Sequence, residues 1–206
     1  MKNFPIPGAG HYSVAAITGA IGAGAGAASE ILQFRWTNTT NVAVITEISV
    51  TGLYATTAFA AGAITLMATI ARSWTAVGSG GAAIDIQGGD SNLNSNQLRT
   101  TMDDSLVNDL RIATTAALTA GTKTLDAYDI GQIASHSSGG VGSATPIIGN
   151  QYLPKTALFK ADIANGEHPL VILANEGFVV RATVPGTGVW IAGLLVKWGE
   201  VLETRF

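Results

Sequence analysis

An all-β fold is predicted for this chain: an antiparallel β-sandwich of jelly-roll type, with an extended N-terminal arm and at most one short helix. Three observations lead there. Apolar residues alternate with polar ones at a period of two over several segments, Gly-, Asn- and Ser-rich clusters separate those segments, and a helical period shows in one place only. Period-two alternation puts successive side chains on opposite faces of a strand, so each such strand buries one face. Sheets with one apolar face must stack against another layer.

The N-terminal stretch, residues 1–29, carries one charged side chain, Lys2, and the small-residue run Ile17–Ser29. Its glycines oppose a helix at about 1 kcal/mol each relative to Ala, and they weaken a strand as well. A single Lys is also a poor positive region for an export signal. The stretch is therefore read as an arm that stays mobile or lies on a neighbouring subunit, with Phe4, Ile6, Tyr12, Val14 and Ile17 as its anchors. The sandwich domain follows over residues 30–206.

Ile31–Thr37 reads as a strand, and so does Val42–Val50, whose even positions Val42, Val44, Thr46, Ile48 and Val50 form one face. The uncharged window Thr51–Ala71 reaches the roughly 20 residues of a membrane span. It is discounted because it holds Gly52, Gly62 and five Thr residues, and because Ile64, Leu66, Ala68 and Ile70 alternate as in a strand over Ile64–Trp74. Thr101 and Asp104 make a helix start for Asp103–Leu110, with Met102, Leu106 and Leu110 at spacing four. Further strands are expected at Ala82–Gln87, Arg111–Leu118, Ala157–Ile163 and Leu170–Leu173. The clearest pair comes last: Phe178, Val180, Ala182 and Val184, the turn Pro185–Gly188, then Trp190, Ala192, Leu194, Val196 and Trp198. It reads as a hairpin. The Gly/Ser run Ser135–Ser143 is expected to be a linker or loop tip.

Composition narrows the function classes. The 206 residues include no Cys, 11 basic and 14 acidic side chains, for a net charge of −3. A disulfide-stapled module and a Cys-ligated metal site are thereby excluded. Charged residues amount to 12%, about half the roughly 25% usual in soluble domains, so the surface must be unusually neutral. Neutral surfaces of this kind are often covered by other subunits. The basic residues are few and scattered, whereas phosphate binding needs them clustered. Neither nucleic acid nor a membrane is expected as a partner.

No catalytic constellation stands out. Gly22–Ala27 contains G-x-G-x-x-A and Glu47 could pose as a ribose acid, but no helix follows to hold a pyrophosphate. Asp90–Asn96 spaces oxygen ligands as a calcium loop does, yet Ser95 and Thr101 stand where the turn glycine and bidentate Glu belong. An Asx-rich surface turn explains that segment better. His11, His136 and His168 lack any nucleophile context. Asp103–Asp104 and Glu200 with Glu203 are explained by capping and an exposed chain end. Trp36, Trp74, Trp190 and Trp198 fall in strands, where core or interface roles outweigh ligand stacking. Of these, Trp198, together with the chain end through Phe206, is the better interface candidate. No cofactor or metal is called for.

Leu98–Arg99, Ser105–Asp126 and Glu167–Trp190, closing with Val196–Val201, resemble virion structural proteins of tailed bacteriophages. The most specific part is Asn175–Trp190, of the form N-E-G-F-V-[VI]-R-A-T-V-P-x-T-G-x-W. The resemblance implies a non-enzymatic particle component, foremost a capsid decoration or cement protein. Such a protein would sit on the outer surface of the shell, bind the major capsid protein and associate as a dimer or trimer. A carbohydrate- or receptor-binding module of a head fibre or tail is the alternative.

Overall fold

Two seven-stranded antiparallel sheets pack face to face, and the apolar sides of both enclose one main core. The computed structural model describes residues 10–22, 25, 27–84, 105–107, 109–138, 151–162 and 165–205, the side chains of 151–153 and 205 excepted. The β-sandwich expected from the alternation is therefore what the chain forms. Among the described residues there is no α-helix; Glu203–Arg205 forms a 3-10 turn.

The first sheet is built on two long strands, β4 (Asn41–Thr57) and β14 (Val189–Leu202), paired along almost their whole length. The outer edge of β14 is completed by β1 (Gly10–Ile17) and β2 (Ile21–Gly22). That of β4 is completed in turn by β10 (Gln151–Leu153), β11 (Thr156–Lys160) and β12 (Leu170–Ile172). The second sheet centres on β13 (Glu176–Thr183), which lies between β3 (Ser29–Trp36) and β5 (Ala61–Ala76). Beyond β3 come β7 (Asp109–Ile112) and β6 (Ala82–Ala83). Beyond β5 come β8 (Thr122–Leu125) and β9 (Gly131–Ser138).

Several expectations are corrected. β13 and β14 are not a hairpin: Pro185–Gly188 carries the chain from the second sheet to the first, so the two strands face each other across the core. Alternation specifies a buried face, and that face is satisfied equally by a strand alongside or by a strand opposite. The described part of the N-terminal stretch is not an arm. Tyr12 and Val14 point into the core, β1 pairs with β14, and Thr18 continues the ladder through its N–H and hydroxyl to Ala192. Period-two alternation over residues 12–15, against an edge in need of a partner, outweighs the nearby glycines. The expected helix is not formed at its described part either, since Ser105–Val107 is irregular and Asp109–Ile112 is strand. The Thr51–Ala71 window holds the end of β4 and the start of β5, and no helix among the described residues is long and apolar enough to cross a membrane.

The single face predicted for Val42–Val50 is also revised, for a reason visible in the register. Against β14, strand β4 carries three extra residues, Thr46, Thr51 and Thr56. Each bulge turns the alternation over, so the core takes Ala43 and Ile45, then Ile48 and Val50, then Leu53 and Ala55, while Val42 and Val44 join Val201 in a separate cluster. The hydroxyls of Thr46 and Thr56 donate to the carbonyls of Lys197 and Val189. Thr51 lies against Gly193 so closely that a Cβ built there would be 2.1 Å from its hydroxyl but 3.5 Å from its Cβ. Gly193→Ala is thus expected to destabilise by about 1–3 kcal/mol. Thr51→Ala in the same chain should restore most of that loss in a urea titration.

A run of rings ties the two layers together. Tyr12 stacks on Trp198 at 5.7 Å, Trp198 meets the edge of Phe34 at 5.4 Å, and Phe34 stacks on Phe178 at 5.0 Å. At the same end of the core, Glu200 accepts hydrogen bonds from Ser105 Oγ, Trp198 Nε1 and Leu106 N. Burial pushes this carboxyl above its ordinary value, and those three donors oppose the rise.

Candidate interaction face

The two outer faces of the sandwich differ in charge. Of the six ion pairs among the described residues, five lie on or beside the second sheet: Arg35–Asp109, Arg72–Asp126, Arg72–Glu176, Lys123–Glu30 and Arg181–Asp129. The first sheet has one, Lys197–Glu47 at 2.8 Å. Its remaining charges gather beside that pair, where Lys160 on β11 lies opposite Glu47 and Lys155 is near enough to act on it; the outward positions of β1 and β14 away from there are neutral. Ile17 pairs with Gly193, Ile191 with Tyr54, and Ala15 with Leu195, which places these side chains on one side of neighbouring strands. Ile17 is 71% exposed and Tyr54 47% exposed. The Tyr54 ring lies over Gly52, so it presents its flank to solvent rather than standing away from the sheet.

Electrostatics at the margin of this face are quiet. Burial would raise the Glu47 carboxyl, but hydrogen bonds from Lys197 and Ser49 and the charges of Lys197 and Lys155 hold it below its ordinary value. Burial and Lys197 together hold His11 low. Near neutral pH the charge of the face is therefore confined to its β11 margin, the Lys197–Glu47 pair with Lys155 and Lys160 beside it, next to an uncharged imidazole.

Of the residues chosen from sequence that are among the described ones, Ile17 alone is found on this face. Tyr12, Val14 and Trp198 are 3%, 2% and 0% exposed and belong to the core, which corrects their assignment as partner contacts. Phe4, Ile6 and Phe206 lie outside the described residues, as do Asp90–Asn96 and Asp103–Asp104. Tyr54, Ile191 and Leu195 were missed. The signal existed, because they are the off-phase positions of strands whose in-phase positions are the core, but bulges hid the phase in β4. All four Trp residues are fully buried, so none presents a stacking surface. The expected Ser135–Ser143 loop is strand as far as Ser138. Gly22 belongs to β2, with β3 following where a dinucleotide site needs a helix. Among the described residues no three His, Asp or Glu side chains gather as a metal site.

Asn175–Trp190, the most specific part of the resemblance, does scaffold work. Asn175 makes the turn into β13 at φ 63°, a left-handed conformation Asn tolerates. Gly177 passes so near β3 that a Cβ would stand 2.0 Å from the Phe34 carbonyl oxygen. Arg181 binds Thr69 and Asp129, and Thr183 and Thr187 accept from the N–H groups of Ala28 and Ala60. Phe178 and Trp190 fill the core. Comparison with protein-family models, curated proteins and solved structures finds no match to this chain.

Proposed function

We propose that the chain is a structural component of a tailed-phage particle, a capsid decoration or cement protein that binds the major capsid protein shell on its outer surface, as a dimer or trimer. The exposed, weakly charged outer face of the first sheet carries this reading. The patch of Ile17, Tyr54, Ile191 and Leu195, set apart from the Lys197–Glu47 pair and the lysines beside it, loses little hydration on docking, and each large apolar side chain fully buried contributes about 1.5–3 kcal/mol. Binding the assembled shell and not separated capsomers stabilises the shell by mass action. The strand order supports the finer jelly-roll reading: β1, β3, β4 and β5 alternate between sheets, and β13 and β14 return to insert between them, as two interlocked Greek keys require.

The test is a double variant, Ile17→Glu with Tyr54→Glu, added as full chain to undecorated particles. Occupancy is expected to fall about tenfold or more, while the variant's own stability stays within roughly 0.5 kcal/mol of the parent, because both side chains are exposed. Unchanged occupancy overturns the docking face. Loss of glycan binding in the same variant, with particle binding intact, favours the receptor-binding alternative.

A further inference from the structure

Under the segments that cover the outer face of the second sheet, an amine, a carboxylate and a carboxamide meet out of contact with water. The local fold of β3 brings two of them together. Against β13, β3 carries Ile31 as an extra residue, so Ile31 and Leu32 both turn to the core while Glu30 joins Gln33 on the outer side. Without that bulge Glu30 would share the phase of Leu32. The chain covering them comes from two places. Trp74–Gly78 leaves the end of β5 and lies over Gly177 and Arg35, and Leu118–Lys123 crosses from the edge of β3 to β8.

Glu30 is the hub. Its Oε2 accepts from Lys123 Nζ at 2.9 Å and from Gln33 Nε2 at 2.5 Å. The side chains of Lys123 and Glu30 are 2% and 7% exposed, and Gln33 is fully buried. Lys123 Nζ also donates to the Ala120 carbonyl and sits 4.5 Å from the centre of the Trp74 ring. Gln33 Nε2 donates to Thr119 O at 2.7 Å, and Gln33 Oε1 accepts from Gly78 N at 3.1 Å. The carboxamide is thus held at both ends. Its oxygen meets a backbone N–H of the kind that stabilises developing negative charge, and its nitrogen touches the same carboxylate as the amine.

We propose that Lys123 and Gln33 become joined by an isopeptide bond, with Glu30 moving the protons. The Glu30 carboxylate takes a proton from the Lys123 ammonium. The freed amine attacks Gln33 Cδ, forming the new C–N bond and driving the carbonyl electrons onto Oε1 against the Gly78 N–H. Glu30 returns its proton to Nε2 and takes the second from Nζ. The electrons on Oε1 re-form the carbonyl, the Cδ–Nε2 bond breaks and ammonia departs, collecting the proton from Glu30 to leave as ammonium. No oxidant, cofactor or second reactant is consumed, and exclusion of water protects the intermediate from hydrolysis. The bond would lock the covering segment to the central part of the second sheet.

High-resolution intact mass of the full chain under denaturing conditions tests this. The expected reading is a deficit of one ammonia, about 17 Da, against the sequence mass. Proteolysis should then yield one branched peptide uniting the regions of Gln33 and Lys123, and Lys123→Arg and Glu30→Gln should each restore the full mass. A wild-type mass with no deficit overturns the proposal, and this reading does not depend on whether either variant folds. A deficit of water, about 18 Da, with the branch at Glu30 overturns it as well. So does a deficit that persists in Lys123→Arg.

Discussion

Trp198→Ala is expected to cost about 3–5 kcal/mol of stability, lowering the thermal midpoint by about 10 °C in a chain of this size. Trp198 is wholly buried, stacks on Tyr12, meets the edge of Phe34 and donates its indole N–H to Glu200. Truncation removes all of these contacts and opens a cavity between the sheets, next to rings that are themselves packed and cannot collapse far. The measurement is urea or thermal unfolding of the isolated chain. A loss below about 1 kcal/mol, coupled with weakened assembly, would return Trp198 to the interface role expected from sequence.

Glu200→Ala should cost about 3 kcal/mol, because Ser105 Oγ, Trp198 Nε1 and Leu106 N lose their common acceptor and each buried donor left unpaired costs about 1 kcal/mol or more. Glu200→Gln keeps one oxygen for all three donors and should cost far less. The conservative variant also isolates the titration. Burial raises the carboxyl of Glu200 in the folded state, so the folded protein binds its proton more tightly than the unfolded chain does. Its contribution is complete below the ordinary carboxylate value and is lost as pH rises through the raised folded value. Wild type measured against Glu200→Gln should therefore lose relative stability with rising pH and then level off. A relative gain with rising pH would contradict the burial. Trp198 and Glu200 share a hydrogen bond, so the two Ala variants should combine with less than the sum of their effects.

What was legible from sequence follows from what a period of two encodes. It marked β5, β13 and β14 with the right inward residues, because those strands run through the core without an interruption of phase. In β4 the same reading, made over Val42–Val50, failed at Thr46, the first of the strand's three extra residues. One extra residue reverses the faces, and the alternation of a Val/Ile/Thr-rich run does not itself announce which residue is extra, Thr46, Thr51 or Thr56 included. The spacing of those three Thr residues was the available sign. The interaction face was obscured for the same reason, as Tyr54 becomes an outward residue only once the bulge at Thr51 is counted.

The sequence by itself determined that the chain forms strands with one apolar face, stacked as a sandwich with a poorly charged exterior, since alternation and composition are local properties. Only the tertiary structure decided which strand lies beside which. A buried face is indifferent to whether its cover comes from the same sheet or the opposite one, so Pro185–Gly188 could cross the core and residues 10–22 could close an edge. Only the fold, too, could bring Glu30 and Gln33 on β3 to Lys123 on β8, because residues this far apart in the chain meet through register and packing, neither of which is written in any one segment.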